Sequence, residues 1–130
     1  MKMENDKRTV LIVDDEEVVL DVEGLMLKKL GFNILKANSS TKACRLYKNK
    51  KDDIDLVILD MIMPGMNGGE TYDRLKQIDP GICVLLSSGY SIDGQASDIL
   101  SRGCNGFIQK PFNLMELSSA TRKVLDAPAT

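Results

Sequence analysis

Asp14 and Asp15 follow the apolar run VLIV, Asp60 follows LVIL, Ser87 and Ser88 follow CVLL, and Lys110 follows FIQ. If each run is a strand of one parallel sheet, these residues share the edge where open α/β sheets bind ligands. Three ionised aspartates in one crevice repel one another and raise their own pKa values unless a cation sits among them. Mg²⁺, with Mn²⁺ as an alternative, suits such a site: it takes one or two carboxylates, keeps several waters and leaves room for phosphate oxygens. One divalent ion and Lys110 together balance three carboxylates, so the crevice is ready for a phosphoryl group. A carboxylate can itself be the nucleophile, forming an aspartyl-phosphate, when a metal and a lysine neutralise the transferred oxygens. Asp60 is the candidate, because it ends LVILD and enters MIMPGMNGG, a loop that Pro64 and the glycines shape as a turn. Any one polar strand end is weak evidence. The joint set, one on each expected strand, is what points to a site. Glu16 and Glu17 read instead as acids in the first turn of a helix, next to its positive dipole end.

The elements that must position these residues are visible in the hydrophobic pattern. Apolar runs at 9–13, 32–36, 55–59, 82–87 and 105–108 read as five strands, and those at 9, 55 and 82 are nearly continuous in Val, Ile and Leu, as in strands covered on both faces. Helical stripes lie between and after them: Val18, Val22, Leu25, Met26 and Leu30; Ala43, Cys44 and Tyr47; Tyr72, Leu75 and Ile78; Ile92, Ala96, Ile99 and Leu100; and Leu114, Leu117, Thr121, Val124 and Leu125. Asn67 with Glu70 and Asn113 with Glu116 have capping-box spacing, while Gly31, Gly103 and Asp79-Pro80-Gly81 mark helix ends. Strands alternating with helices predict right-handed βαβ crossovers and a parallel sheet with helices on both faces. The expected organisation is an N-terminal extension over 1–8, one domain over 9–126 and a tail over 127–130.

Composition narrows the class. At 130 residues the chain can bury a core without metal or disulfide staples, and 43% apolar with 28% charged residues is ordinary for a globular protein. A net charge of −2 argues against nucleic-acid or anionic-membrane binding, which want a basic surface, and Lys48, Lys50 and Lys51 read as a solvated helix end. No histidine exists to join Cys44, Cys83 or Cys104 in a zinc site or a Cys-His nucleophile. No signal peptide and no apolar run of membrane-spanning length is present, so a cytoplasmic location is expected.

LIVDDEE, LVILDMIMPGMNG, LLSSGYS and FIQKPF together resemble the response-regulator receiver domains of two-component signalling, over roughly residues 8–126. The run GYSIDGQASDILSRGCNGFIQKPFNLMEL is similar to the C-terminal receivers of hybrid sensor histidine kinases. The resemblance implies a flavodoxin-like (βα)5 three-layer sandwich with strand order 2-1-3-4-5. It implies that Asp60 is the phosphoacceptor, that Asp14, Asp15, Asp60 and the Ile62 backbone carbonyl hold Mg²⁺, with Asp15 more direct than Asp14, and that Lys110 pairs with phosphoryl oxygen before a cis Pro111. Family spacing selects Ser88 over Ser87 as the hydroxyl residue, a serine where threonine is commoner. Phe107 stands at the place of a switch aromatic that is often tyrosine, although an ordinary core aromatic is an equal reading. Ile62 and Tyr90 are the bulky neighbours expected to slow hydrolysis.

The expected partner is a sensor histidine kinase or a histidine phosphotransfer domain, with phosphorylation-dependent dimerisation through the fourth helix, fifth strand and fifth helix. Such a domain catalyses its own phosphorylation and dephosphorylation without being a conventional multiple-turnover enzyme. The sequence ends after the fifth helix, so a DNA-binding or enzymatic output domain is not expected within it. Two alternatives compete. One is a phosphorylation-independent interaction module on the same fold. The other is a haloacid-dehalogenase-like phosphatase, which wants an aspartate two residues after the first, where this chain has Ile62. Neither glycine-rich nucleotide-binding motif occurs.

Overall fold

A computed structural model describes residues 8–63, 67–89 and 94–126. Five strands and five helices alternate in it: β1 (Thr9–Val13), α1 (Glu17–Lys29), β2 (Asn33–Ala37), α2 (Ser40–Lys50), β3 (Leu56–Asp60), α3 (Gly68–Ile78), β4 (Val84–Ser88), α4 (Gly94–Ser101), β5 (Gly106–Gln109) and α5 (Leu114–Leu125). The strands form one parallel sheet in the order β2-β1-β3-β4-β5. β3 and β4 are buried along their whole length, as their apolar runs require, including the polar residues that end them, whereas the edge strands β2 and β5 are mostly half-buried or exposed.

Alternation along the strands sends side chains into two cores. On one face Leu11, Val13, Val57, Leu59 and Leu86 pack with Tyr47 of α2, Tyr72 of α3 and Ile99 of α4. On the other, Val10, Ile12, Ile58 and Ile108 pack with Leu20 and Leu27 of α1 and Leu117 of α5. The result is the expected three-layer sandwich. Both capping boxes form: Asn67 and Asn113 each accept from the backbone of the glutamate three residues on, which reaches back to the cap's own N–H. Gly31 and Gly103 follow α1 and α4 with positive φ, +96° and +110°, where a Cβ would be strained.

Two expectations need correction. Four of the five strands, β2 to β5, end one residue later than the apolar runs, because the sheet ladder continues through Ala37 in β2 and into polar residues in the others: Asp60 pairs with Ser87 and Ser88 with Gln109. Asp60 thus ends β3, as expected of LVILD, and Ser88 ends β4.

The second correction concerns α1. Its inward face is Leu20, Glu23, Gly24 and Leu27, whereas Val18, Val22 and Leu25 are 73%, 50% and 65% exposed. Leu20, Glu23, Gly24 and Leu27 follow the i, i+3, i+4, i+7 spacing of a helix face. Gly24 lets the helix sit close to β2, since a Cβ there would lie 2.8 Å from Ile34 Cδ1 and 3.1 Å from Lys36 Cε. Leu20 and Leu27 each supply about 1.5–3 kcal/mol by burial, and they set the helix phase against the pull of the three outer aliphatics.

Candidate functional site

The C-terminal ends of β1, β3 and β5 bring the site together. Asp14 leaves β1 with its backbone N–H donating to Ala37, which holds the turn against β2. The adjacent N–H of Glu16, the N-cap residue of α1, donates to Asp14 Oδ1 at 3.0 Å. Asp14 Oδ2 accepts from Lys110 Nζ at 2.7 Å, so both oxygens of this buried carboxylate are engaged. Asp15 is exposed at the rim. The freer oxygens of the acidic pair thus belong to Asp15.

Asp60 closes β3, buried, with Oδ1 3.0 Å from Lys110 Nζ. One ammonium therefore bridges the carboxylates that end two neighbouring strands. Burial pushes the Asp60 carboxyl up to about 6, against the lowering pull of Lys110, and Asp14 and Asp15 add to the rise. Burial also works against the Lys110 charge, but hydrogen bonds and attraction from Asp14 and Asp60 outweigh it and raise its pKa above the usual lysine value. Lys110 stays cationic.

Asp14, Asp15 and Asp60 each offer a carboxylate oxygen within 4.8 Å of the others. An all-oxygen, anionic donor set of this size suits a hard divalent cation. Ile62, two residues after Asp60, is 54% exposed at the same rim. The loop returns to α3 through Gly68, whose N–H donates to Met61 O at 2.7 Å and whose missing Cβ leaves room for the Met61 backbone.

Ser87 and Ser88 are both buried at the end of β4. Ser88 continues the Val84–Leu86 side of the strand, the face against which half-buried Phe107 packs. The Lys110 backbone N–H donates to Ser88 O at 2.7 Å, and the Lys110–Pro111 peptide is cis. Tyr90 and Pro64 lie outside the described residues.

Glu23 was not anticipated as part of this region. Its side chain, 4% exposed, points from α1 toward the same charges, and burial pushes its carboxyl up to about 7, with Lys110 lowering it and Asp14 and Asp60 raising it. The signal was present in its helical spacing between Leu20 and Leu27, but an acidic side chain reads as solvent-facing.

Comparison with known proteins shows the family and the fold. The family model described as the response regulator receiver domain matches residues 10–122. The chain is 33% identical over 106 residues to a cyclic di-GMP phosphodiesterase of Thermotoga maritima, covering 82% of this chain and 28% of that protein. It is 33% identical over 117 residues to the autoinducer 1 sensor kinase/phosphatase LuxN of Vibrio campbellii, covering 90% of this chain and 13% of LuxN. The chain thus spans only a minor part of these relatives. Among solved structures, a response regulator receiver domain protein from Clostridium thermocellum superposes with a TM-score of 0.87 at 28% identity, covering 92% of this chain and 94% of that one. The CheX–CheY–BeF3–Mg complex from Borrelia burgdorferi gives 0.85 at 30% identity, covering 90% and 88%.

Proposed function

The chain belongs to the response regulator receiver domain family of two-component signalling, and from that premise we propose that it is a phosphoacceptor which takes a phosphoryl group onto Asp60 from a protein phosphohistidine. The observation that carries this reading is the Lys110 ammonium, seated between Asp14 and Asp60 at 2.7 and 3.0 Å, beside the Asp15 carboxylate.

An Asp60 oxygen attacks phosphorus, the P–N bond to the donor imidazole breaks, and the electron pair leaves with the imidazole. Lys110 moves its hydrogen bond from Asp60 to a phosphoryl oxygen, following the charge as it is transferred. Asp14, Asp15, Asp60 and the Ile62 carbonyl would hold Mg²⁺, which supplies the remaining positive charge to the phosphoryl oxygens when bound. Water later attacks phosphorus and releases phosphate, restoring the Asp60 carboxylate, and Ile62 and Tyr90 restrict its approach. The same residues then complete a cycle of self-catalysed phosphorylation and hydrolysis.

No histidine occurs in these 130 residues, so the donor histidine belongs to a sensor kinase or phosphotransfer domain outside them. To reach Asp60 that partner must cover the rim, and exposed Val18 and Val22 of α1, which line one cavity with Lys110, provide an apolar surface for it. Output follows when phosphate draws the Ser88 hydroxyl toward Asp60 and the Phe107 ring fills the space, altering the α4–β5–α5 surface and its capacity to dimerise. Free Cys44, Cys83 and Cys104 fit a reducing cytoplasm, and no helix of the described residues is long and apolar enough to cross a membrane.

Intact mass after incubation with acetyl phosphate and Mg²⁺ tests the reading. The expected result is a gain of one phosphoryl group, absent with EDTA and absent in Asp60→Asn. No gain from acetyl phosphate or from purified donor kinases would overturn it in favour of a module that binds without phosphorylation.

A further inference from the structure

Between α1 and the turn after β5 lies a cavity of about 230 Å³, walled by Val18, Val22, Met26, Pro111 and Phe112, with Glu23 and Lys110 as its charged side chains. An apolar cavity of about 150 Å³ is enough to hold benzene, so this one can take a four-carbon chain with a polar head. The Lys110 ammonium is committed to Asp14 and Asp60. Glu23 differs: although only 4% exposed, its carboxylate makes no hydrogen bond or ion pair among the described residues. No sealed side-chain oxygen or nitrogen among those residues lacks a partner. The Glu23 oxygens must therefore open into the cavity rather than into packed protein.

We propose that this cavity seats a basic side chain, lysine or arginine, of the protein that docks over the phosphorylation site, with Glu23 as its counter-ion. The apolar walls suit the aliphatic stem, and a carboxylate at the end of such a slot suits an ammonium or guanidinium head. A macromolecule is the fitting source because the exposed Val18 and Val22 form part of the cavity wall, and Lys110, in the same wall, ties the cavity to Asp60. This rests on the phosphoacceptor reading for the identity of the partner, but not for the chemistry of the pocket. A polar anchor in an otherwise apolar contact selects among partners, since a donor with an aliphatic residue there leaves Glu23 desolvated and unpaired.

The test is an NMR titration of the intact chain with n-butylammonium and n-butylguanidinium as side-chain mimics, at pH 8 so that Glu23 is ionised. Saturable shifts centred on Val22, Glu23 and Phe112 are expected, weakened about tenfold for neutral n-butanol and for Glu23→Gln, whose fold is verified by circular dichroism. Equal binding of butanol, or unchanged binding in Glu23→Gln, would overturn the proposal. A second arm addresses the source. The saturating mimic should slow transfer from a phosphorylated histidine-phosphotransfer domain at least fivefold while leaving acetyl phosphate labelling unchanged. An unaffected protein donor would sink the docking role, whereas absent acetyl phosphate labelling with mimic binding intact would sink the phosphoacceptor reading instead.

Discussion

Lys110 donates to Asp14 across 2.7 Å, joining the end of β1 to the turn after β5 over 96 residues of sequence. The lysine therefore neutralises a member of the acidic pair as well as the expected acceptor. Lys110→Met should remove a positive charge from the metal site and tighten Mg²⁺ binding by about three- to tenfold, since close charges interact strongly at a half-buried site. Acetyl phosphate labelling should fall by about 100-fold, the scale of losing one donor to developing negative charge. Calorimetric titration with MgCl₂ and intact mass check the two halves; weaker Mg²⁺ binding would contradict this charge balance.

Asp60→Asn should stabilise the metal-free protein at neutral pH. Burial raises the Asp60 carboxyl from 3.8 to about 6, so the folded state holds this proton more tightly than the unfolded chain does. Its contribution to stability is thus greatest in acid and declines as pH rises across that window. Mg²⁺ should raise the melting temperature of the wild type by mass action and do little for Asp60→Asn. Thermal melts with and without MgCl₂ read both effects.

Glu23 gives a second pH signature. Its carboxyl rises from 4.5 to about 7, so stability should fall between those values and level off above, by on the order of 3 kcal/mol. Glu23→Gln should flatten this part of the curve and be the more stable protein at pH 8. Urea midpoints at pH 5 and pH 8 decide it, and a wild type that is more stable at pH 8 would reverse the sign.

Gly68→Ala should destabilise the fold by about 1–3 kcal/mol through overpacking. The added Cβ would lie 2.8 Å from the Met61 Cα and carbonyl oxygen, so the loop between β3 and α3 must shift. A lowered urea midpoint together with weaker Mg²⁺ binding is expected, because Ile62 lies in that loop.

Ile62→Asn should shorten the lifetime of the phosphorylated form severalfold. The side chain stands exposed at the rim, where replacing an aliphatic group with an amide opens a path for water and can orient it. The decay of the phosphorylated mass over time measures this, and an unchanged lifetime would remove Ile62 from the hydrolysis step.

Much of this was legible in the chain. Five apolar runs, two capping boxes and the residues closing the runs determined the alternation of strands and helices and placed Asp14, Asp60 and Lys110 on one edge, because these signals are local and periodic. The strand order came from a family resemblance rather than from periodicity, which does not say which strands are neighbours. Tertiary structure decided the rest. The phase of α1 turned on the close approach that Gly24 permits against Ile34, and on burial of Leu20 and Leu27, which outweighed exposure of Val18, Val22 and Leu25. The burial of Glu23 beside Lys110 followed from that phase. The bridging of Asp14 and Asp60 by one ammonium was decided by the sheet: pattern can place three charges at strand ends, but only packing in three dimensions sets their separations, and at a few ångströms separation decides which charge pairs with which.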